Sequence, residues 1–186
     1  MQEASSLRRV VNVLAGTKEG NVNTSNWGAL SRGHLTSLTT LTLEMIAKKA
    51  PEVSYIHNYP GAVKTNLIRG GEGVLLWTVA LAFKVLAPFV TISNDECGER
   101  HTFLATSARF PPVLNGEVNS IVPLEGGVTT ARGTDGKVGS GIYSIDSVGE
   151  SANQKTEALL AKLRKDKVRE AVWKHVQEEF GRIMGK

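Results

Sequence analysis

Val53-Ser54-Tyr55-Ile56-His57-Asn58-Tyr59-Pro60-Gly61 is a run of β-branched and aromatic residues stopped by a proline and a glycine. It reads as a strand, from about 53 to 59, that ends in a sharp turn. Upstream, Val10-Val11-Asn12-Val13-Leu14-Ala15, closed by Gly16, is a second short run. Its apolar character predicts a strand buried on both faces. Between the two, Leu35, Leu38, Leu41, Thr42, Met45 and Ile46 recur at helical spacing. Ser31 is placed to cap that helix and Pro51 to stop it. Strand, helix and strand at this spacing make a crossover, which requires the strands to be parallel. The fold class that follows is α/β, with a parallel sheet flanked by helices.

Downstream, Ser93-Asn94-Asp95-Glu96 has capping-box spacing and predicts a helix to about Thr106. Glu117 to Leu124, closed by Gly126-Gly127, reads as the third strand. Asp135-Gly136 is a hairpin turn signal ahead of Gly141-Ile142-Tyr143-Ser144-Ile145. From about Ala152 to Met184 one long amphipathic helix is expected, with Leu160, Leu163, Val168, Val172, Val176, Phe180 and Ile183 on one side. The chain thus divides into a sheet-bearing part at 1–125, a glycine-rich loop and hairpin at 126–150, and a C-terminal helix at 151–186. The stretch from Val74 to Ile92 approaches the length of a membrane span, but Lys84 and Pro88 interrupt it. Three readings follow, in this order: a lid over a substrate, a monotopic membrane anchor, and a span.

Composition narrows the function classes. Of 186 residues, 41% are hydrophobic and 22% charged, an ordinary soluble balance. The net charge of +4 mixes 18 acidic with 22 basic residues, which argues against a nucleic-acid footprint. Cys97 is the only cysteine, so neither a disulfide framework nor a thiolate metal cluster fits within one chain. His34, His57, His101 and His175 are scattered, and no metal site is expected. The first residues lack a signal-peptide pattern, so a cytoplasmic location is expected, with membrane association if 74–92 acts as an anchor. Tyr55, His57 and Tyr59 alternate along one strand and face one side. A proton relay and a strand face bonded locally beneath a helix are the two readings, the second favoured.

The order of these pieces resembles the short-chain dehydrogenase/reductase family. Arg9-Val10-Val11-Asn12-Val13 is similar to that family's fifth strand, and Leu41-Thr42-Leu43-Glu44-Met45-Ile46-Ala47 to the later part of its long catalytic helix. Pro60-Gly61-Ala62-Val63-Lys64-Thr65 resembles its Pro-Gly-x-Val-x-Thr loop, and Glu99 to Ser107 the helix before its seventh strand. The nearest flavour is that of fungal reductase-like proteins of secondary metabolism. The resemblance implies the C-terminal part of a partial Rossmann-like, doubly wound sheet, an NAD(P) cofactor, and an apolar substrate such as a polyketide or terpenoid. Carried over by residue, it places Pro60, Gly61, Val63 and Thr65 beside the nicotinamide.

The departures from the family are as specific as the matches. No Gly-x-x-x-Gly-x-Gly turn between a strand and a helix occurs in this sequence. The family's serine position holds Leu14-Ala15, and its Tyr-x-x-x-Lys window falls near Arg32-Gly33-His34-Leu35-Thr36, with no tyrosine before Tyr55. No catalytic residue is therefore assigned. His34 as a proton donor and Arg32 as an oxyanion partner are weaker readings than two polar residues at an exposed helix start. The alternative to an oxidoreductase is a non-catalytic remnant or partner subunit. It would form a homo- or hetero-oligomer through the open sheet edge at 10–15 or the helix at 32–50.

Overall fold

The computed structural model describes residues 7–63, 91–114, 116–118 and 123–185. β1 (Arg9–Val13) and β2 (Ser54–Asn58) run parallel, with Val11 opposite Ile56. α1 (Arg32–Ala47) connects them, its first turn capped where Ser31 accepts from the His34 amide. α2 (Asn94–Thr106) is capped in the same way, with Ser93 accepting from the Glu96 amide. β3 (Val113–Leu114) and β4 (Glu117–Val118) form a two-residue antiparallel pair. β5 (Ile142–Ile145) joins β2 in parallel, Ile56 facing Tyr143, so the main sheet is ordered β1-β2-β5. α3 (Gln154–Lys165) and α4 (Val168–Met184) follow. This is a partial Rossmann-like sheet flanked by helices, as the sequence predicts.

Alternation along the strands decides what lies on each side. Ile56, Tyr143 and Ile145 point toward α2 and pack with Leu104, Phe110 and Ala131. Arg9 locks that layer. Its guanidinium donates to the carbonyls of Leu104 (2.9 Å), Ser107 (2.9 Å) and Phe110 (2.6 Å), meeting acceptors that the end of α2 leaves open. Burial lowers its pKa to about 10, still high enough to keep it charged near neutrality.

On the opposite side, Leu41 of α1 packs with Leu160, Leu163 and Val172 of the C-terminal helices, flanked by Val22, Trp27 and Leu38. A buried ion pair crosses the same layer. Glu44 receives two bonds from Arg164 Nε and one from its Nη2, at 2.9 to 3.3 Å, and a fourth from the Thr134 hydroxyl at 2.9 Å. Arg169 stands 3.5 Å from its second oxygen.

Three expectations are corrected here. The third strand of the parallel sheet is Ile142–Ile145, not Glu117 to Leu124, of which the described residues 117 and 118 sit in the small hairpin. Tyr143 and Ile145 are fully buried whereas Glu117 and Val118 are exposed, so burial outweighed strand length. The Asp135-Gly136 turn forms ahead of that strand as expected, with Gly136 at φ +79 and an Arg132–Val138 antiparallel bridge. The long C-terminal helix is two helices, broken where Lys167 takes φ +57. Finally, among the described residues β1 is an edge strand, with Val10 and Val13 exposed at 44% and 49%, not a strand buried on both faces.

Part of the apolar stripe of α1 lies open beside that edge. Leu35, Leu38, Thr42 and Ile46 line an open groove of 490 Å³ together with Asn12 and Leu14 of the β1 edge. The side of α1 turned to the core is instead rich in polar groups: His34, Thr36, Ser37, Thr40 and Glu44 are all buried. The hydrophobic seam legible in the sequence therefore divides between the core, at Leu41 and Leu38, and this open groove.

Candidate functional site

In parallel α/β sheets ligands bind outside the carboxyl ends of the strands. Here that rim is built from the loops after β1, β2 and β5. The chain leaving β1 is pressed against β2: Leu14 N–H donates to Asn58 O (2.9 Å), and a Cβ on Gly16 would lie 2.0 Å from His57 O. Only glycine fits there.

The following loop is fastened through a buried chain of polar groups. Ala15 N–H donates to His57 Nε2 (3.3 Å), so that nitrogen carries the lone pair and Nδ1 the proton. Nδ1 then donates to Thr40 Oγ1 (2.8 Å), and the Thr40 hydroxyl donates to Glu19 Oε1 (2.8 Å). The Ser144 hydroxyl donates to the same oxygen at 2.6 Å and itself accepts from Thr17 N–H. Burial lowers the His57 pKa to about 4, keeping the ring neutral, and raises that of Glu19 against the pull of its hydroxyl donors. Both His57 nitrogens are occupied within the protein, which gives the locally bonded strand face rather than a relay open to a ligand.

His34 is a similar case. It is 1% exposed rather than part of an exposed helix start, and it accepts from Asn23 N–H at Nδ1 while Nε2 faces Trp27 O. It pins the loop and has no nitrogen left for chemistry. Arg32 stands 4.8 Å from the Tyr59 ring centroid, and the Lys18 ammonium 5.3 Å from it. Each such contact is worth about 0.5–1 kcal/mol at an exposed site. Sequence reasoning missed Glu19, Ser144 and Lys18, whose roles arise only when β5 and the loop meet the end of β2.

Of the residues carried over from the family, Pro60, Gly61 and Val63 lie on this rim, and Thr65 is outside the described residues. Gly61 has φ +83, and a Cβ there would meet Ser147 Cβ at 3.0 Å. Turn and contact together demand glycine. Val63 forms a parallel bridge with Ile92, whose amide donates to Ala62 O (2.9 Å). The end of the hydrophobic stretch thus returns to the loop; Val74 to Val90 lies outside the described residues.

A nicotinamide dinucleotide would need a wall for its ring and a cradle for its pyrophosphate. The Pro60–Val63 turn, at the strand end and with no side chain at Gly61, is the candidate for the first. The described residues do not fit the second. The start of α1 is closed by the Ser31 cap, and Gly33 is packed against the Gly20 backbone, where a Cβ would come within 2.9 Å.

Crossover, parallel sheet and carboxyl-end turn together define a Rossmann-like α/β protein, and the comparisons with known proteins point to oxidoreductases of fungi. Over 184 residues the chain is 35% identical to an oxidoreductase of Emericella nidulans, a match covering 94% of this chain and 54% of that protein. It is 30% identical over 193 residues to an oxidoreductase of Emericella variicolor, covering 100% and 56%. An NmrA-like family domain-containing oxidoreductase of an Aspergillus species is 35% identical over 182 residues, covering 92% and 48%. The chain is a homologue of these fungal oxidoreductases and spans about half the length of the curated relatives it matches. No family model and no solved structure matches it. Among the described residues no helix is long and apolar enough to cross a membrane.

Proposed function

We propose that this chain supplies the nicotinamide-side wall and the substrate side of an NAD(P)-dependent oxidoreductase of the short-chain dehydrogenase/reductase type, acting on an apolar secondary metabolite. The observation that carries the reading is the Pro60–Val63 turn at the carboxyl end of β2, in a chain whose relatives are oxidoreductases. Pro60, Gly61 and Val63 would border the ring, with Thr65 following Lys64 along the chain. When bound, the cofactor would supply the hydride. This chain's part is to hold the ring against the turn and keep the loop after β1 in place through the His57–Thr40–Glu19–Ser144 chain. Isothermal titration of NADPH and NADH tests it. Heat of binding at millimolar cofactor is expected, and its absence for both would sink the reading for this chain.

The open edge favours a second reading, that of a partner subunit without catalysis of its own. Val10, Val13 and Leu14 are exposed at the edge of a parallel sheet, beside the groove lined by Leu35 and Ile46. Such an edge is a template for pairing. Light scattering on the purified chain is expected to report dimers or larger species whose mass falls on dilution. A well-folded monomer at all concentrations would remove this reading.

A further inference from the structure

A second cavity at the same rim lies on the α2 side of the sheet and is not needed by the turn at Gly61. It has a volume of 210 Å³ and lies between Asn58 and Pro60, the α2 face carrying His101 and Phe103, and the β5 exit loop at Val148. Its open walls are mainly apolar, and Asn58 and His101 line it together with the charged residues Glu99, Arg100 and Asp146. Asn58 is 2% exposed, and its amide orientation is fixed, because Nδ2 faces the carbonyls of Tyr59 (3.4 Å), Ile145 (3.4 Å) and Asp146 (3.0 Å). That leaves Oδ1 as a buried acceptor with no partner among the described residues. His101 Nδ1 donates to Cys97 O (2.7 Å), and in the tautomer that this bond selects Nε2 is a second buried acceptor with no partner among the described residues.

Buried acceptors without donors are costly, and native proteins leave few of them. Two residues carrying such acceptors on the lining of one small cavity call for an occupant that brings a donor. An apolar cavity of roughly 150 Å³ is enough to hold benzene, so this one admits a single six-membered ring with a substituent. We propose that the cavity is a binding subsite for a ring bearing a hydroxyl or N–H donor, held by its donor against Asn58 Oδ1 or His101 Nε2 and by its ring against Phe103 and Val148. Its role as part of a substrate site rests on the oxidoreductase reading; the binding itself does not.

Phenol and toluene are the probes, since they share one shape and differ in the donor. Toluene is the more hydrophobic and would win in a purely apolar pocket. Phenol is expected to bind at least about tenfold more tightly, with amide shifts in a labelled sample at Asn58, His101 and Ser147 to Gly149. His101→Phe is expected to bring phenol down toward toluene while leaving the melting temperature within a few degrees. Should that variant fail to fold, the phenol–toluene ratio on the unaltered chain decides. Equal binding, tighter binding of toluene, no phenol binding, or shifts confined to other parts of the chain would each overturn the assignment. Phenol binding without any heat from NADPH would uphold the subsite and refute the cofactor reading separately.

Discussion

Replacing Arg164 with methionine is expected to destabilise the chain by about 3 kcal/mol or more, read as a lower urea midpoint at unchanged slope. The cause is the Glu44 carboxylate left behind. Its side chain is 4% exposed, and Arg164 supplies most of its hydrogen bonds. Arg169 at 3.5 Å and the Thr134 hydroxyl would soften the loss without replacing the guanidinium fork. Pairing R164M with Glu44→Gln should recover part of the stability, because the buried charge then goes with its partner. The location adds to the effect. The pair joins α1 to the C-terminal end of α3, so its loss loosens the layer holding Leu41 against Leu160 and Val172. A cost below about 1 kcal/mol for the single change would mean that water reaches Glu44.

Gly16→Ala is expected to do comparable damage by a different route, about 3 kcal/mol from overpacking. Its Cβ would lie 2.0 Å from His57 O and 2.9 Å from Ile145 O, both backbone atoms that cannot swing aside. Relief requires β1 to move away from β2, which would also break the Ala15–His57 bond and slacken the Glu19 network. Gly98→Ala makes the control. It lies within α2 with nothing within 4 Å of the added atom, and should stabilise by about 0.5–1 kcal/mol. Opposite signs for the two changes, measured by thermal melting, are the expected result. Equal signs would show that the contact at Gly16 is not as close as described.

What could be read in the sequence was the part fixed by neighbours in the chain. Ser31 and Ser93 announce their helices because a cap acts within three residues, and Pro60-Gly61 ends β2 for a similarly local reason. The third strand was not legible. Ile142-Tyr143-Ser144-Ile145 is four residues long and flanked by glycines and polar residues, and it becomes a strand by pairing with Tyr55–Asn58, nearly ninety residues away. Nor was the break at Lys167. Val168, Val172 and Val176 continue to pack in the cluster begun by Leu160 and Leu163, so the apolar periodicity runs through the break unaltered. Lysine, unlike glycine, gives no warning of a left-handed backbone. The candidate site was half legible. The Pro60–Val63 turn could be found from its residues, but Glu19, Ser144 and the Asn58–His101 cavity depend on which loops the sheet brings together.

We propose that the turn at the end of β2 forms one wall of a nicotinamide site. Nicotinamide mononucleotide, which carries that end of the cofactor and no pyrophosphate, is the most direct probe, followed by amide shifts in a labelled sample. Saturable shifts at Gly61, Ala62 and Val63 are expected, with Gly126 and Gly127 unmoved. Millimolar ligand that leaves the three turn amides in place, or moves only residues away from the strand ends, would contradict the claim.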